Sequence, residues 1–268
     1  MLINGTPGSS ISIHDRGLLY GDGVFRTLRI HDGQPLQWVR HYRKLLNDCG
    51  ALQLVCPPAG LLLEELQQLA TQQPESVAKI IVTRGEGQRG YAPPAGAAPT
   101  RILTLSPQPD YPPHFYTQGV KLRICELRLS QQSHLAGIKH LNRLENVLAT
   151  AEWSDPDIPE GLLLDSEGNV IEGTRSNLFA VFGSKLVTPD LGLCGVAGVQ
   201  RERVLDWAAQ QGIPCHTRRL GLQELLDADE LFLVNSIIGL WPVRELQGKA
   251  WHSHALSLPI QKWLEHTH

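Results

Sequence analysis

The chain has 268 residues, 42% hydrophobic and 19% charged, and its 24 Lys and Arg against 27 Asp and Glu leave a formal charge of −3. That length and balance support a buried core in one large domain or two small ones. They exclude a disordered acidic tail, and the missing basic excess argues against a nucleic-acid partner.

In chain order, the first 35 residues read as short strands. Asn4-Gly5 and Asp32-Gly33 are hairpin dipeptides, with VFRTLRI (24–30) between them. A helix follows, with Trp38, Val39, Tyr42, Leu45, Leu46 and Cys49 at helical spacing and Gly50 as its C-terminal cap. A second helix is predicted over 59–72, then strands at 77–83 and 101–106. SPQPDYPPH (106–114) holds four prolines in nine residues and cannot join a helix or a central strand. We therefore expect a domain over 1–106, a linker over 107–118 and a second domain over 119–268. The second opens on a strand (119–129) and a helix over 139–152 with Leu141, Leu144, Leu148 and Ala151 on one stripe. A hairpin-rich block (161–189), a helix over 195–212, a short helix (222–227), a buried strand (230–235) and a final short helix complete it. This mixture reads as α+β.

Several motifs carry chemistry. RGEGQRGY places a GxGxxG at Gly85, Gly87 and Gly90, but a dinucleotide site needs a helix next, and Tyr91, Ala92, Pro93 and Pro94 do not open one. The loop reads either as plain surface or as a place where Arg84 and Arg89 meet carboxylates. GVAGVQRE (195–202) opens a helix whose amides at Gly198, Val199 and Gln200 either seat an anion such as phosphate or belong to an ordinary turn. Lys139 is flanked by Leu135, Ala136, Ile138 and Leu141. Desolvation there disfavours the ammonium and gives the neutral amine that Schiff-base chemistry needs; a solvated lysine at a helix start is the ordinary alternative. Glu172, beside a glycine at a strand end, is either a partner for a protonated ring nitrogen or a hairpin-end charge. Ser236 is either a phosphate donor or a turn cap. No HExxH or GxSxG occurs, and the His252/His254 and His266/His268 pairs read as solvated, so no metal is expected. The five cysteines (49, 56, 125, 194 and 215) lack any CxxC and fit free thiols in a reducing cytoplasm. The apolar window 231–243 is broken by Asn235, Ser236, Gly239 and Pro242, and the opening MLINGTPGSS lacks a signal-peptide pattern, so no membrane partner is expected.

Three segments, DRGLLYGDGVFRTLRI (15–30), LAGIKHLNRLENVLA (135–149) and LLLDSEGNVIEGTRSNLF (162–179), resemble the fold-type IV pyridoxal-phosphate enzymes of aminotransferase class IV. The likeness runs nearly end to end. IKHLNRLE is nearer the lyase branch, which converts 4-amino-4-deoxychorismate to 4-aminobenzoate and pyruvate in folate biosynthesis, than the branched-chain aminotransferases. A D-amino-acid or branched-chain aminotransferase is the alternative. The resemblance implies a two-domain D-amino-acid aminotransferase-like fold, with a smaller N-terminal α/β sandwich and a larger C-terminal pseudo-barrel. It implies pyridoxal 5′-phosphate as cofactor, Lys139 as the Schiff-base lysine and general base, and Glu172 at the pyridine nitrogen. Asn177, the amides of Gly198, Val199 and Gln200, and the Ser236 hydroxyl would complete the cofactor site. The family's HxxRL pattern appears here as HYRKL (41–45), so Lys44 takes the position of a phosphate-binding arginine and Arg43 precedes it. One position turns a helical side chain by about 100°, which favours Lys44 over Arg43. Arg26, Arg89 and Arg143 are the candidates for the substrate carboxylates, with Thr27 assisting catalysis. A homodimer is also implied.

Overall fold

A computed structural model describes residues 1–266; His268, one of the terminal histidines considered above, lies outside the described residues. The chain divides into two units. The first comprises Met1–Pro109 together with Ile138–Asn142, and the second comprises Asp110–Gly137 and the chain from Arg143 onward. The division after Pro109 falls inside the expected linker, and the short excursion 138–142 puts Lys139 with the first unit rather than the second.

The first unit contains β1 (Leu2–Ile3), β2 (Thr6–Pro7), α1 (Arg16–Tyr20), β3 (Gly23–His31), β4 (Gln34–Pro35), α2 (Trp38–Ala51), α3 (Ala59–Ala70), β5 (Ser76–Thr83) and β6 (Thr100–Ser106). The strands form one antiparallel sheet in the order β2-β1-β6-β5-β3-β4. Both hairpin dipeptides take positive φ at both positions, 52° and 86° at Asn4-Gly5 and 48° and 73° at Asp32-Gly33, as the type I′ turn requires. Along β3 the residues alternate. Val24, Leu28 and Ile30 are buried in one cluster with Leu45 and Cys49 of α2 and Leu62 and Leu66 of α3. Phe25, Thr27 and Arg29 face the opposite way. Helix α2 runs through Gly50 instead of ending there. Gln53 takes the left-handed turn (φ 55°), and the Arg84 guanidinium donates to the carbonyls of Leu52 and Gln53, both at 2.8 Å. A cation closing the last turn removes the need for a glycine cap.

The second unit contains α4 (His114–Thr117), β7 (Val120–Leu129), α5 (Leu144–Thr150), β8 (Glu160–Asp165), β9 (Val170–Gly173), β10 (Asn177–Phe182), β11 (Lys185–Pro189), α6 (Val199–Gln210), β12 (Cys215–Arg218), α7 (Leu222–Leu226), β13 (Glu230–Asn235), β14 (Gly239–Leu246), β15 (Lys249–Ala250) and α8 (Ser257–His266). Its mixed sheet follows the order β12-β11-β10-β13-β14-β7-β8-β9, with β15 paired to β14. Only residues 174–176 separate β9, at one end, from β10 near the other, so the sheet curls into a half-barrel. Its central strands are buried on both faces. Leu178 and Ala180 pack with Leu231, Leu233 and Trp241. Phe179 and Val181 pack with Val204 and Trp207 of α6 and with Ile260 and Leu264 of α8. Phe179 and Phe232 sit opposite each other and stack with centroids 5.2 Å apart. Burying each ring contributes about 2 kcal/mol and the stacked geometry about 1 more.

The linker and the helix after it also differ from expectation. Residues 111–117 are no free linker, because Tyr111 and Phe115 pack edge-on against Trp241 at 4.8 and 5.3 Å. The helix expected over 139–152 begins at Leu144. Its buried residue is Ala149, whereas Leu144, Val147 and Leu148 are exposed. Residues 139–141 are extended instead. Lys139 and Leu141 exchange backbone bonds with Phe25 and Gly23 at the free edge of β3, both at 2.9 Å. The five cysteines are free, and burial pushes the Cys125 and Cys194 thiols up to about 12 and Cys215 to about 11. Among the described residues no helix is long and apolar enough to cross a membrane.

Candidate active site

The predicted residues fall in two groups, one in each unit. In the first unit the edge pairing sets the direction of Lys139. His140 opposes Val24 in an antiparallel bridge, and Ile138 is buried in the same cluster as Val24. Strand alternation then turns Lys139 to the Phe25 side. Its Nζ lies 4.5 Å from the centre of the Phe25 ring, a cation–π distance. Thr27 is two residues along on the same face of β3, half-buried and opposite Lys79.

Arg26 faces the other way and is not presented as a carboxylate ligand. It is buried beneath α2, and its guanidinium pairs with Asp48. Asp48 is one residue that sequence reading missed. Besides holding Arg26, its Oδ2 accepts the backbone N–H of Lys139 at 3.0 Å. Burial pushes the Asp48 carboxyl up. The charge of Arg26, the Lys139 amide and the charges of Lys44 and Lys139 pull it back only in part, so the group stays above its ordinary value. Lys44 stands one helical turn before Asp48 and half-buried, while Arg43 is exposed, so the inward cation on α2 is Lys44.

The glycine loop also serves the fold. Arg84 is committed to Asp22 (2.7 and 3.0 Å) and to the end of α2. Arg16, buried, donates to Asp22 and to the carbonyls of Gly90, Tyr91 and Ala92. Arg89 is exposed on the same loop, and no helix follows the glycines.

In the second unit Glu172, at the end of β9, is 4% exposed. Its Oε2 accepts the Val196 N–H at 2.9 Å and the Asn177 amide at 3.3 Å. Asn177 also donates to the Val196 carbonyl and accepts from the Gly198 N–H, so one side chain fixes the lead into α6. A Cβ at Gly198 would overlap Asn177 Oδ1, so a larger residue at this N-cap would displace the Asn177 side chain. The cap carries no side-chain hydrogen bond, leaving the first-turn amides of Val199 and Gln200 to backbone or ligand acceptors. The helix starts at Val199, later than the predicted 195, because 195–198 forms this approach. Ser236 lies half-buried in the turn joining β13 and β14, where Asn235 Oδ1 accepts the amides of Ile237 and Ile238. Arg143, half-buried, occupies the N-cap of α5.

A second missed residue explains the rest of EGTRSN (172–177). Glu160 is fully buried and accepts from Thr174 Oγ1 and from Ser176 Oγ at 3.0 Å, with Arg175 Nε at 3.6 Å. Burial pushes its carboxyl up against these partners. The turn between Glu172 and Asn177 is thus wrapped around a buried carboxylate.

The model of the family "Amino-transferase class IV" matches residues 23–246. The chain is 35% identical to the aminodeoxychorismate lyase of Vibrio harveyi over 97% of this chain and 95% of that protein. It superposes on the crystal structure of 4-amino-4-deoxychorismate lyase from Pseudomonas aeruginosa with a TM-score of 0.95 and 47% identity, covering 98% of this chain and 97% of that one. A D-alanine aminotransferase of Listeria monocytogenes is 26% identical over 90% of this chain and 83% of that protein. This chain belongs to the class IV aminotransferase family. The class IV family depends on pyridoxal 5′-phosphate, and the donor set here suits that group. The first unit offers an amine at Lys139; the second offers a buried carboxylate at Glu172 and, at Gly198, a helix N-terminus whose cap makes no side-chain hydrogen bond.

Proposed function

We propose that this class IV protein is a pyridoxal 5′-phosphate-dependent lyase that converts 4-amino-4-deoxychorismate to 4-aminobenzoate and pyruvate. The observation that carries this reading is end-to-end similarity, at 35% and 47% identity, to two lyases of that name. The half-buried Lys139 beside Phe25 and the buried Glu172 support it. When bound, the cofactor supplies an electron sink for the carbon bearing the substrate amine. Lys139 holds the cofactor through Nζ. As a free amine the same nitrogen would take the C4 proton and return a proton to the methylene carbon of the departing enolpyruvyl group. No water is consumed, since the atoms of 4-aminobenzoate and pyruvate sum to those of the substrate. Glu172 keeps a proton on the pyridine nitrogen. Its oxygen takes neutral amide donors, which orient the carboxylate without cancelling its charge. Val199 and Gln200 amides, the Ser236 hydroxyl and Lys44 hold the phosphate, an anion at a helix N-terminus. Asn177 and Gly198 shape that approach. Arg89 and Arg143 receive the substrate carboxylates and Thr27 assists; Arg26, engaged with Asp48, takes no part in this.

The deciding experiment supplies substrate from chorismate and glutamine through a synthase and follows 4-aminobenzoate fluorescence together with pyruvate. Equal amounts of both are expected. Transfer of an amino group to 2-oxoglutarate with neither product would make the protein an aminotransferase instead.

The reading includes a cytoplasmic homodimer. Free, largely buried thiols suit a reducing compartment. The exposed Leu144, Val147 and Leu148 of α5, spaced three and four residues apart, form an apolar stripe of the kind that subunit contacts cover. A Leu144→Glu/Leu148→Glu variant is expected to sediment at half the mass of the parent. A parent that already sediments as a monomer overturns this part.

A further inference from the structure

Three observations meet at one side chain of the first unit. Asp48 is 6% exposed on the inner side of α2. The guanidinium of Arg26, itself 2% exposed, is paired with its Oδ2. The same oxygen accepts the N–H of Lys139 at 3.0 Å. Lys139 is otherwise carried on a short extended segment whose flanking bonds run to Phe25 and Gly23. Its own N–H points away from that edge, and a side chain 91 residues earlier meets it. A hydrogen bond to a charged acceptor is stronger than a neutral one, and a buried amide left unmet costs its full desolvation.

We propose that Asp48 is a positioning residue for Lys139: it fixes the backbone from which the reacting amine projects, and Arg26 is the counter-ion that holds Asp48 in place. Arg26 and Asp48 thus act as one device, a buried ion pair whose spare acceptor capacity is spent on the lysine backbone. Two alternatives make different predictions. If Asp48 only neutralised Arg26, removing both charges would leave Lys139 untouched. If Arg26 were a substrate ligand, its loss would raise KM and spare the lysine. The inference rests on the reading of Lys139 as the reacting lysine, but its test has an arm that does not.

The test compares Arg26→Leu/Asp48→Asn with Arg26→Leu/Asp48→Ala. Both lack the buried charges; only the first keeps an acceptor for the Lys139 amide. Hydrogen exchange is read at single residues in the cofactor-loaded protein. In Asp48→Asn we expect the Lys139 amide to stay protected. In Asp48→Ala we expect it to exchange at least tenfold faster while the amides of Phe25 and Leu141 keep their protection. In turnover, the alanine form should lose kcat by about 10- to 100-fold with little change in KM, as misplacement of a reacting group by about 1 Å does, and the asparagine form should recover most of it. Asp48→Glu in the otherwise unaltered chain is a check that does not unbalance Arg26: it keeps the charge, displaces the oxygen, and should slow kcat with an unchanged melting temperature. Equal exchange and equal kcat in the two double variants overturn the proposal, as does an Asp48→Glu enzyme indistinguishable from the parent. If borohydride fixes the cofactor to a lysine other than Lys139, the reading of the reacting lysine fails, whereas the exchange comparison still decides what Asp48 holds.

Discussion

The two units hold their candidate groups by different means. In the first, Lys139 rides on an edge segment steadied by a charged side chain, with Arg26, Asp48 and Lys44 close by. In the second, Glu172 and the lead into α6 are steadied by neutral donors: a backbone N–H and the amide of Asn177. A charge network is strong when dry and weakens as water and salt reach it, whereas amide bonds are nearly indifferent to ionic strength. The contrast suits the tasks. In the proposed roles, a lysine that would leave one bond and act as a base is kept among charges, and a carboxylate that would only stay put is fixed by neutral groups.

The largest effect tests whether the first group holds the reacting atom at all. Lys139→Ala should lower turnover at least about 10³-fold and leave a protein without the visible band that borohydride removes; a variant that still forms a reducible imine breaks the assignment. Next, Glu172→Gln keeps shape and loses charge, and kcat should fall by about 10²-fold with no change in melting temperature. The third comparison is direct. Asn177→Ala removes hydrogen bonds to Glu172, Val196 and Gly198 and should weaken cofactor binding about tenfold. Lys44→Ala should weaken it several-fold. Raising the salt from low to physiological strength should shrink the Lys44 deficit and leave the Asn177 deficit unchanged, read by equilibrium dialysis; equal salt dependence would erase the distinction between the units.

The smallest effect concerns acid. Burial pushes the Asp22 carboxyl up, but hydrogen bonds from Arg84 and Arg16, and their charges, outweigh it and hold the group below the usual range. A depressed acid stabilises the fold above its ordinary pKa of about 4, and that contribution is lost as pH falls through the lowered value. Asp22→Asn should therefore show a shallower loss of stability below about pH 4, with melting unchanged in slope at neutral pH. An identical acid limb would remove Asp22 from the account.

Much of this was readable from residues close in sequence. Asn-Gly and Asp-Gly announced their turns, and the unbroken apolar run 231–234 announced a strand buried on both faces. What escaped depended on partners far along the chain. Leu141, Leu144, Leu148 and Ala151 fit a helical spacing, yet the free edge of β3, more than 100 residues earlier, recruits 139–141 as a strand-like segment. Arg26 read as a ligand because its counter-ion is 22 residues away in a helix. The part played by Thr174, Arg175 and Ser176 escaped because Glu160, which they surround, is a strand away. Lys139 and Glu172 themselves were legible through the family pattern, not through periodicity.

The excursion of Ile138–Asn142 into the first unit has a consequence for synthesis. A ribosome that has released only residues 1–109 has made the whole sheet of that unit but not the segment that covers the Gly23–Phe25 edge of β3. That edge stays open until about thirty more residues emerge, and an open strand edge is where chains pair wrongly. A fragment ending at Pro109 should be aggregation-prone, and one that carries the chain through Asn142 should be markedly less so.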